Sequence, residues 1–235
     1  GREGASLYVS DINAELLEET IGDLKSEGIN AQGGIFDAAN IDDAPRFVAA
    51  VKEAHGRIDV LVNNAGAVKV EPFPNVSEEN WDWTMNLNLK GAFFLMQEAA
   101  KPMIDQQSGN IVNIASIAGT FGGPTSSPSY AAAKAGLVNL TTVAAAVLAQ
   151  YTIRVNAIAP GIINTPFHAP VDLAIGQQQL GLAPGEHINT RVGLIPLGRL
   201  GEPEDVAATV AFLASEDAAH ISGETITVAG AMRSL

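Results

Sequence analysis

Two hydrophobic periods alternate along this chain. Short apolar runs at Leu7 to Ser10, Ile29 to Phe36, Ile58 to Val62, Asn110 to Ile114, Ile153 to Ile158 and Thr225 to Val228 read as strands. Between them lie stretches of helical period, Ala14 to Glu27, Asp42 to His55, Glu78 to Gln106, Pro128 to Gln150 and Pro203 to Ser215. The first carries Leu16, Leu17, Ile21 and Leu24 at helical spacing and meets Gly28, a residue suited to a left-handed stop. The last opens Pro203-Glu204-Asp205, with proline in the first turn and acids at the positive helix end. Strand alternating with helix predicts an α/β fold, a parallel sheet covered by helices on both faces. No repeat, linker or low-complexity tract interrupts it, so residues 1–235 are expected to form one domain. The segment 167–194 mixes Gly, Pro, Gln and scattered apolar residues. Ligands bind beyond the carboxyl ends of strands in such folds, which makes this segment a candidate substrate lid.

Composition narrows the chemistry. A net charge of −13 opposes binding to a nucleic-acid backbone or an anionic membrane, and small molecules are the expected partners. The absence of cysteine removes disulfides, thiolate catalysis and Cys-ligated zinc. The four histidines, His55, His168, His187 and His220, show no ligand spacing, and no metal is expected. No apolar run near ~20 residues stands out, and the charged start Gly1-Arg2-Glu3-Gly4 is unlike a signal peptide. A cytoplasmic location is the expectation.

Tyr130 and Lys134 stand four apart in Pro128-Ser129-Tyr130-Ala131-Ala132-Ala133-Lys134, on one helix face. An ammonium beside a phenol lowers its pKa from ~10, commonly by about 1 to 3. The expectation is a phenol usable as a base, with the hydroxyl of Ser116 holding the substrate oxygen while Tyr130 exchanges its proton.

These residues sit among ordered motifs: Asn63-Asn64-Ala65-Gly66, Asn88-Leu89-Lys90-Gly91, Pro160-Gly161 followed by Thr165, Leu197-Gly198-Arg199, Gly201-Glu202-Pro203-Glu204-Asp205-Val206-Ala207 and Ile221-Ser222-Gly223. Over essentially its whole length the chain resembles the short-chain dehydrogenase/reductase family. The resemblance implies a Rossmann-type fold, a nicotinamide cofactor, and hydride transfer between an alcohol and a ketone. It makes Tyr130 the acid/base and Ser116 the group that orients the substrate oxygen. It makes Lys134 the ribose ligand that lowers the Tyr130 pKa, and Asn88 the holder of a water linking Lys134 to solvent.

Further roles follow by position. Asp11, after the first strand, would accept from the adenosine ribose and repel a 2′-phosphate, so NAD is expected over NADP. A cap for the helix at Ala14 is its structural alternative. Asp37 and Ala38 would meet the adenine, or Asp37 would be a turn carboxylate. Asn63, Asn64, Ala65, Gly66, Pro160 and Gly161 would line the cofactor, with Ile163 and Thr165 at the carboxamide; a helix cap is the alternative for Thr165. Val68, Ile117, Ala118, Phe121 and Phe167 flank the site and suit a small or medium, fairly apolar substrate. Small residues such as Ala131 to Ala133, Ala135 and Gly136 allow close helix approach, and the resemblance implies a homotetramer.

The largest departure from the family precedes Arg2-Glu3-Gly4-Ala5-Ser6, where a first strand and glycine-rich turn belong. The expectation is a chain truncated there, with two strand edges left unpaired. Two other readings stay open: a 3-oxoacyl thioester (acyl-carrier-protein) reductase using NADPH, and a non-catalytic fragment or assembly subunit without cofactor binding.

Overall fold

In the computed structural model, residues 1–121 and 127–232 are described. The first strand, β1 (Leu7–Asp11), pairs in parallel with β2 (Ala31–Ile35) across α1 (Ala14–Ser26). Asn13 caps α1, its side-chain oxygen accepting from the amides of Glu15 and Leu16 at 3.0 and 3.1 Å. The chain continues through α2 (Ala44–His55) to β3 (Val60–Asn63), then α3 (Glu78–Met85) and α4 (Ala92–Gln106). β4 (Gly109–Ile114), α5 (Pro128–Leu148) and β5 (Ile153–Pro160) follow. Short turns, α6 (Ala169–Val171) and α7 (Glu186–Thr190) among them, lead to α8 (Pro203–Ala214) and β6 (Thr225–Val228).

Strands β3, β4, β5 and β6 form a second parallel sheet in that order, separate in hydrogen bonding from the β1–β2 pair. One continuous sheet is therefore not what forms. β1 and β3 are edges, the two the resemblance implied, and Val60 and Val62 of β3 are each 39% exposed. Neighbouring residues of β4 show the layering. Ile111 packs with α2 and α4 through Val48, Leu95 and Met103, whereas Val112 packs with Leu213 of α8 and with Ala218. Helices thus cover both faces, as the alternating pattern predicts.

One polar chain crosses this core. Asn63 donates to Asn113 at 2.9 Å and to the Ala92 carbonyl at 3.1 Å, and Asn113 donates to Thr141 at 2.9 Å. Asn113 and Thr141 are fully buried, so each bond answers a polar group that water cannot reach. The Asn63 side chain is consequently a structural tie between β3 and β4.

The stretch Pro128–Tyr151, α5 with its last turn, is long and apolar enough by length and composition to cross a membrane, contrary to the expectation of no such run. It packs instead along β5 and α3, with Ala133, Lys134, Leu137 and Thr141 on its buried face.

Candidate active site

The site is assembled where β4 and α5 meet. After Ile114 the chain enters a single 3₁₀ turn, Ile117–Gly119, with Ser116 at its start. Gly119 explains how this turn docks: a Cβ there would lie 2.5 Å from the Lys134 carbonyl carbon and 2.6 Å from the Ala135 nitrogen. Without a side chain, the turn lies on the backbone of α5, and Ser116 faces Tyr130. The Ser116 oxygen accepts from the Ala118 amide at 3.1 Å, which leaves the hydroxyl hydrogen free to donate.

Burial pushes the Tyr130 phenol up to about 12, with the Ser116 hydroxyl drawing it partly back. Burial brings Lys134, 3% exposed, down to about 8. The expected lowering of the phenol by its lysine is absent in this state. The Lys134 ammonium lies 5.6 Å from the Tyr130 ring centre and donates to the Ile114 carbonyl at 2.8 Å, so desolvation of the phenol prevails.

Asn88 sits in a π-helical turn, Asn86–Gly91, set between α3 and α4 where one continuous helix was expected. Such turns recur at functional positions. Its side chain accepts from the Ala67 amide at 3.2 Å and donates to the carbonyls of Ala67 and Thr84, both at 3.0 Å. Every side-chain group of Asn88 is thereby engaged with backbone. Gly91 closes the same turn, and a Cβ there would overlap the Ala38 carbonyl oxygen. The π-turn thus brings the end of β2 beside the loop after β3.

That loop carries Asn64, Ala65 and Gly66. A Cβ on Gly66 would lie 2.7 Å from Asn88 Oδ1 and 3.3 Å from Lys134 Nζ, so the backbone here approaches the lysine as closely as a chain can. Asp11 ends β1 exposed, one oxygen accepting from the Asn13 amide at 2.7 Å; the helix cap is Asn13. Asp37 accepts from the Ala39 amide at 2.9 Å, the turn role allowed for it, and Ala38 is buried. Pro160 ends β5, the Gly161 amide donates to Val228 at 2.9 Å, and Ile163 bridges to Gly201. Thr165 makes no side-chain cap; its hydroxyl reaches the Ile163 carbonyl at 3.5 Å. The carboxylates after β1 and β2, the glycine beside Lys134 and the lysine itself fit a ribosyl dinucleotide, since they offer acceptors for sugar hydroxyls and room for close backbone approach. Among the described residues, no group of three or more His, Cys, Asp or Glu is placed to hold a metal.

Ile117 and Ala118 are buried beside Ser116, and the Phe167 ring stands 5.7 Å from that of Tyr130. His168 follows, its ring 5.5 Å from Phe167. Burial and then Arg191 bring His168 down to about 4. His168, Asp172, His187 and Arg191 form a buried or half-buried polar group in the lid that the sequence did not point to. Only the separation of four between His187 and Arg191 hinted at it, and His168 lies far from both along the chain.

The family described as enoyl-(acyl carrier protein) reductase matches residues 1–232. The chain is 36% identical over 231 residues to the 3-oxoacyl-(acyl-carrier-protein) reductase FabG of Thermotoga maritima, covering 98% of this chain and 89% of the relative. Its fold is similar to that of a variant actinorhodin polyketide ketoreductase solved with NADPH: TM-score 0.94, 32% identity, 99% of this chain and 89% of that one covered. It is also similar to an NAD⁺-bound xylitol dehydrogenase, with TM-score 0.89, 30% identity, and 97% and 89% covered.

Proposed function

This chain belongs to the short-chain dehydrogenase/reductase family, and from that premise we propose a dehydrogenase or ketone reductase that interconverts an alcohol and a ketone on a substrate with an apolar body. The observation that carries the proposal is the Ser116 hydroxyl facing a half-buried Tyr130, with Lys134 one helical turn on.

Bound at Lys134 and the Gly66 loop, the nicotinamide dinucleotide supplies or accepts the hydride. The residues manage the rest. Ser116 donates to the substrate oxygen. In reduction Tyr130, protonated at neutral pH, gives its proton to the oxygen as negative charge develops there; in oxidation it takes the proton back. One hydride and one proton balance the ketone against the alcohol. Lys134 holds ribose hydroxyls, and Asn88 ties its π-turn to Ala67, which keeps the Gly66 loop against Lys134.

NAD is the preferred cofactor in this proposal, because the Asp11 carboxylate ends β1 where a 2′-phosphate would meet it. Residues 1–235 act as one dinucleotide-binding domain, 167–194 as its substrate lid, and four copies as the working assembly. A second reading, reduction of a 3-oxoacyl thioester with NADPH, is favoured by the likeness to the Thermotoga maritima reductase and to the NADPH-bound ketoreductase. Steady-state rates with simple ketones and with a 3-oxoacyl thioester, each with NADH and NADPH, separate the two. Reduction of neither substrate class would contradict both.

A further inference from the structure

Arg191 follows α7 and is 8% exposed, yet among the described residues it makes no ion pair, and its terminal nitrogen Nη2 is buried without a hydrogen-bond partner. Guanidinium does not escape burial by losing its proton, so a buried one without a counter-charge is costly. The carboxylate on the same segment does not answer it. Asp172 Oδ2 accepts from Gln177 at 3.1 Å and from the Gly185 amide at 2.8 Å, its Oδ1 is buried without a partner, and its charge acts on His187. The groups that share Arg191's field are imidazoles. His168 and His187 are both held below their usual range by burial first and by Arg191 second, so they are neutral near pH 7. His187 Nε2 is likewise buried without a partner. This corner of the lid holds one fixed positive charge, one spare imidazole nitrogen and a spare oxygen of Asp172, and nothing among the described residues pairs with the guanidinium.

Two contacts connect the corner to the reacting centre. His168 packs on Phe167, which packs on Tyr130. Ile188, beside His187, packs against the buried cluster that includes Ile117, the residue after Ser116. Apolar side chains thus stand between Tyr130 and Arg191, with the cation at the far end. We propose that Arg191 receives the carboxylate of the substrate, so that the enzyme acts on a keto acid and hydroxy acid pair with an apolar middle, its ketone or alcohol carbon at Tyr130. The planar guanidinium fork matches a carboxylate in two parallel bonds. A monoanion meets the guanidinium one to one, whereas a dianionic phosphate would add a second negative charge beside Asp172. This proposal names the substrate class of the site described above and rests on that hydride-transfer reading.

The test compares levulinate and its longer homologues, each against its methyl ester and its phosphonate analogue, as substrates of the full chain with dinucleotide. The acids should exceed their esters in kcat/KM by about tenfold or more, through KM, a difference worth roughly 1.4 kcal/mol per decade. Arg191→Gln should bring that ratio close to unity, and Arg191→Lys should keep part of it, since charge remains while the fork is lost. An acid-to-ester ratio that Arg191→Gln leaves standing would overturn the assignment, and preference for the phosphonates would overturn the carboxylate class. A second arm needs no turnover: calorimetric titration of octanoate and octanamide into the dinucleotide-loaded protein. Octanoate should bind more tightly, and Arg191→Gln should erase the difference. Equal binding in the unaltered protein refutes the anion site whatever the ketone kinetics. Arg191-dependent octanoate binding without reduction of any ketone would leave the site standing and remove the hydride-transfer reading instead.

Discussion

Lys134 Nζ lies 5.6 Å from the centre of the Tyr130 ring and gives its hydrogen bond to the Ile114 carbonyl at 2.8 Å. The pair is adjacent without being an ion pair, and each partner is driven toward its neutral form. The phenol keeps its proton up to about 12, and the amine loses its own near 8. At neutral pH Tyr130 therefore carries the proton that ketone reduction needs, though as a weaker acid than a free phenol. Base character in the reverse direction has to come with the positive charge of the oxidised nicotinamide.

Stability should report the cost of burying Lys134. Its folded pKa of about 8 lies below the ordinary 10.5, so between those values the unfolded chain binds more protons and stability rises with pH. Below pH 8 the full penalty applies, on the order of 3 kcal/mol. Tyr130 works the opposite way from about pH 10 upward, because its folded pKa is raised. Lys134→Met should therefore raise Tm at pH 7 and flatten its climb from pH 8 to 10, while weakening dinucleotide binding and turnover. Thermal melts across pH on both proteins check the sign, and unchanged dinucleotide affinity would remove the ribose role.

Dinucleotide choice should follow Asp11. kcat/KM with NAD should exceed that with NADP by about tenfold or more, and Asp11→Ala should narrow the gap. A native preference for NADPH would revive the thioester-reductase reading.

The buried amide chain makes a separate statement about the core. Asn113→Ala would leave Asn63 and Thr141 each short of a partner inside the sheet, a loss of about 2 to 5 kcal/mol. Denaturant unfolding should show a midpoint shift of that size. A shift below about 1 kcal/mol would mean that the chain re-forms around water.

Strands and most helices were legible in the sequence, because β-branched runs and the three-to-four spacing are local signals that burial on both sheet faces reinforces. The π-turn at Asn86–Gly91 was not. The apolar spacing of Glu78 to Gln106 continues through it, and what holds it is non-local: Asn88 on Ala67, and Gly91 against Ala38. The nearness of Tyr130, Lys134 and Ser116 could be read from spacing and motif, whereas the direction of the phenol's pKa could not, since desolvation depends on what the fold puts around it. Arg191 left only its four-residue separation from His187 as a trace, because turns without a transferable pattern bring the lid's polar group together.

Assembly should be visible in solution. Met85, Leu89, Phe93, Phe94 and Leu140 line a surface hollow between the π-turn, α4 and α5, and Val143 and Val147 on α5 are more than half exposed. Sedimentation at micromolar concentration should find a tetramer with two-fold axes, and Leu140→Glu should lower the oligomeric state. A monomer of the unaltered chain would contradict this.

Tyr130→Phe tests the central claim most directly, because it removes one exchangeable proton and leaves the ring that packs on Phe167. Single-turnover reduction of a ketone with bound reduced dinucleotide should slow by about 10²- to 10⁴-fold, with dinucleotide affinity unchanged within about twofold. A variant that keeps a substantial fraction of the unaltered rate would show that the proton comes from another group and that Tyr130 is not the acid of this site.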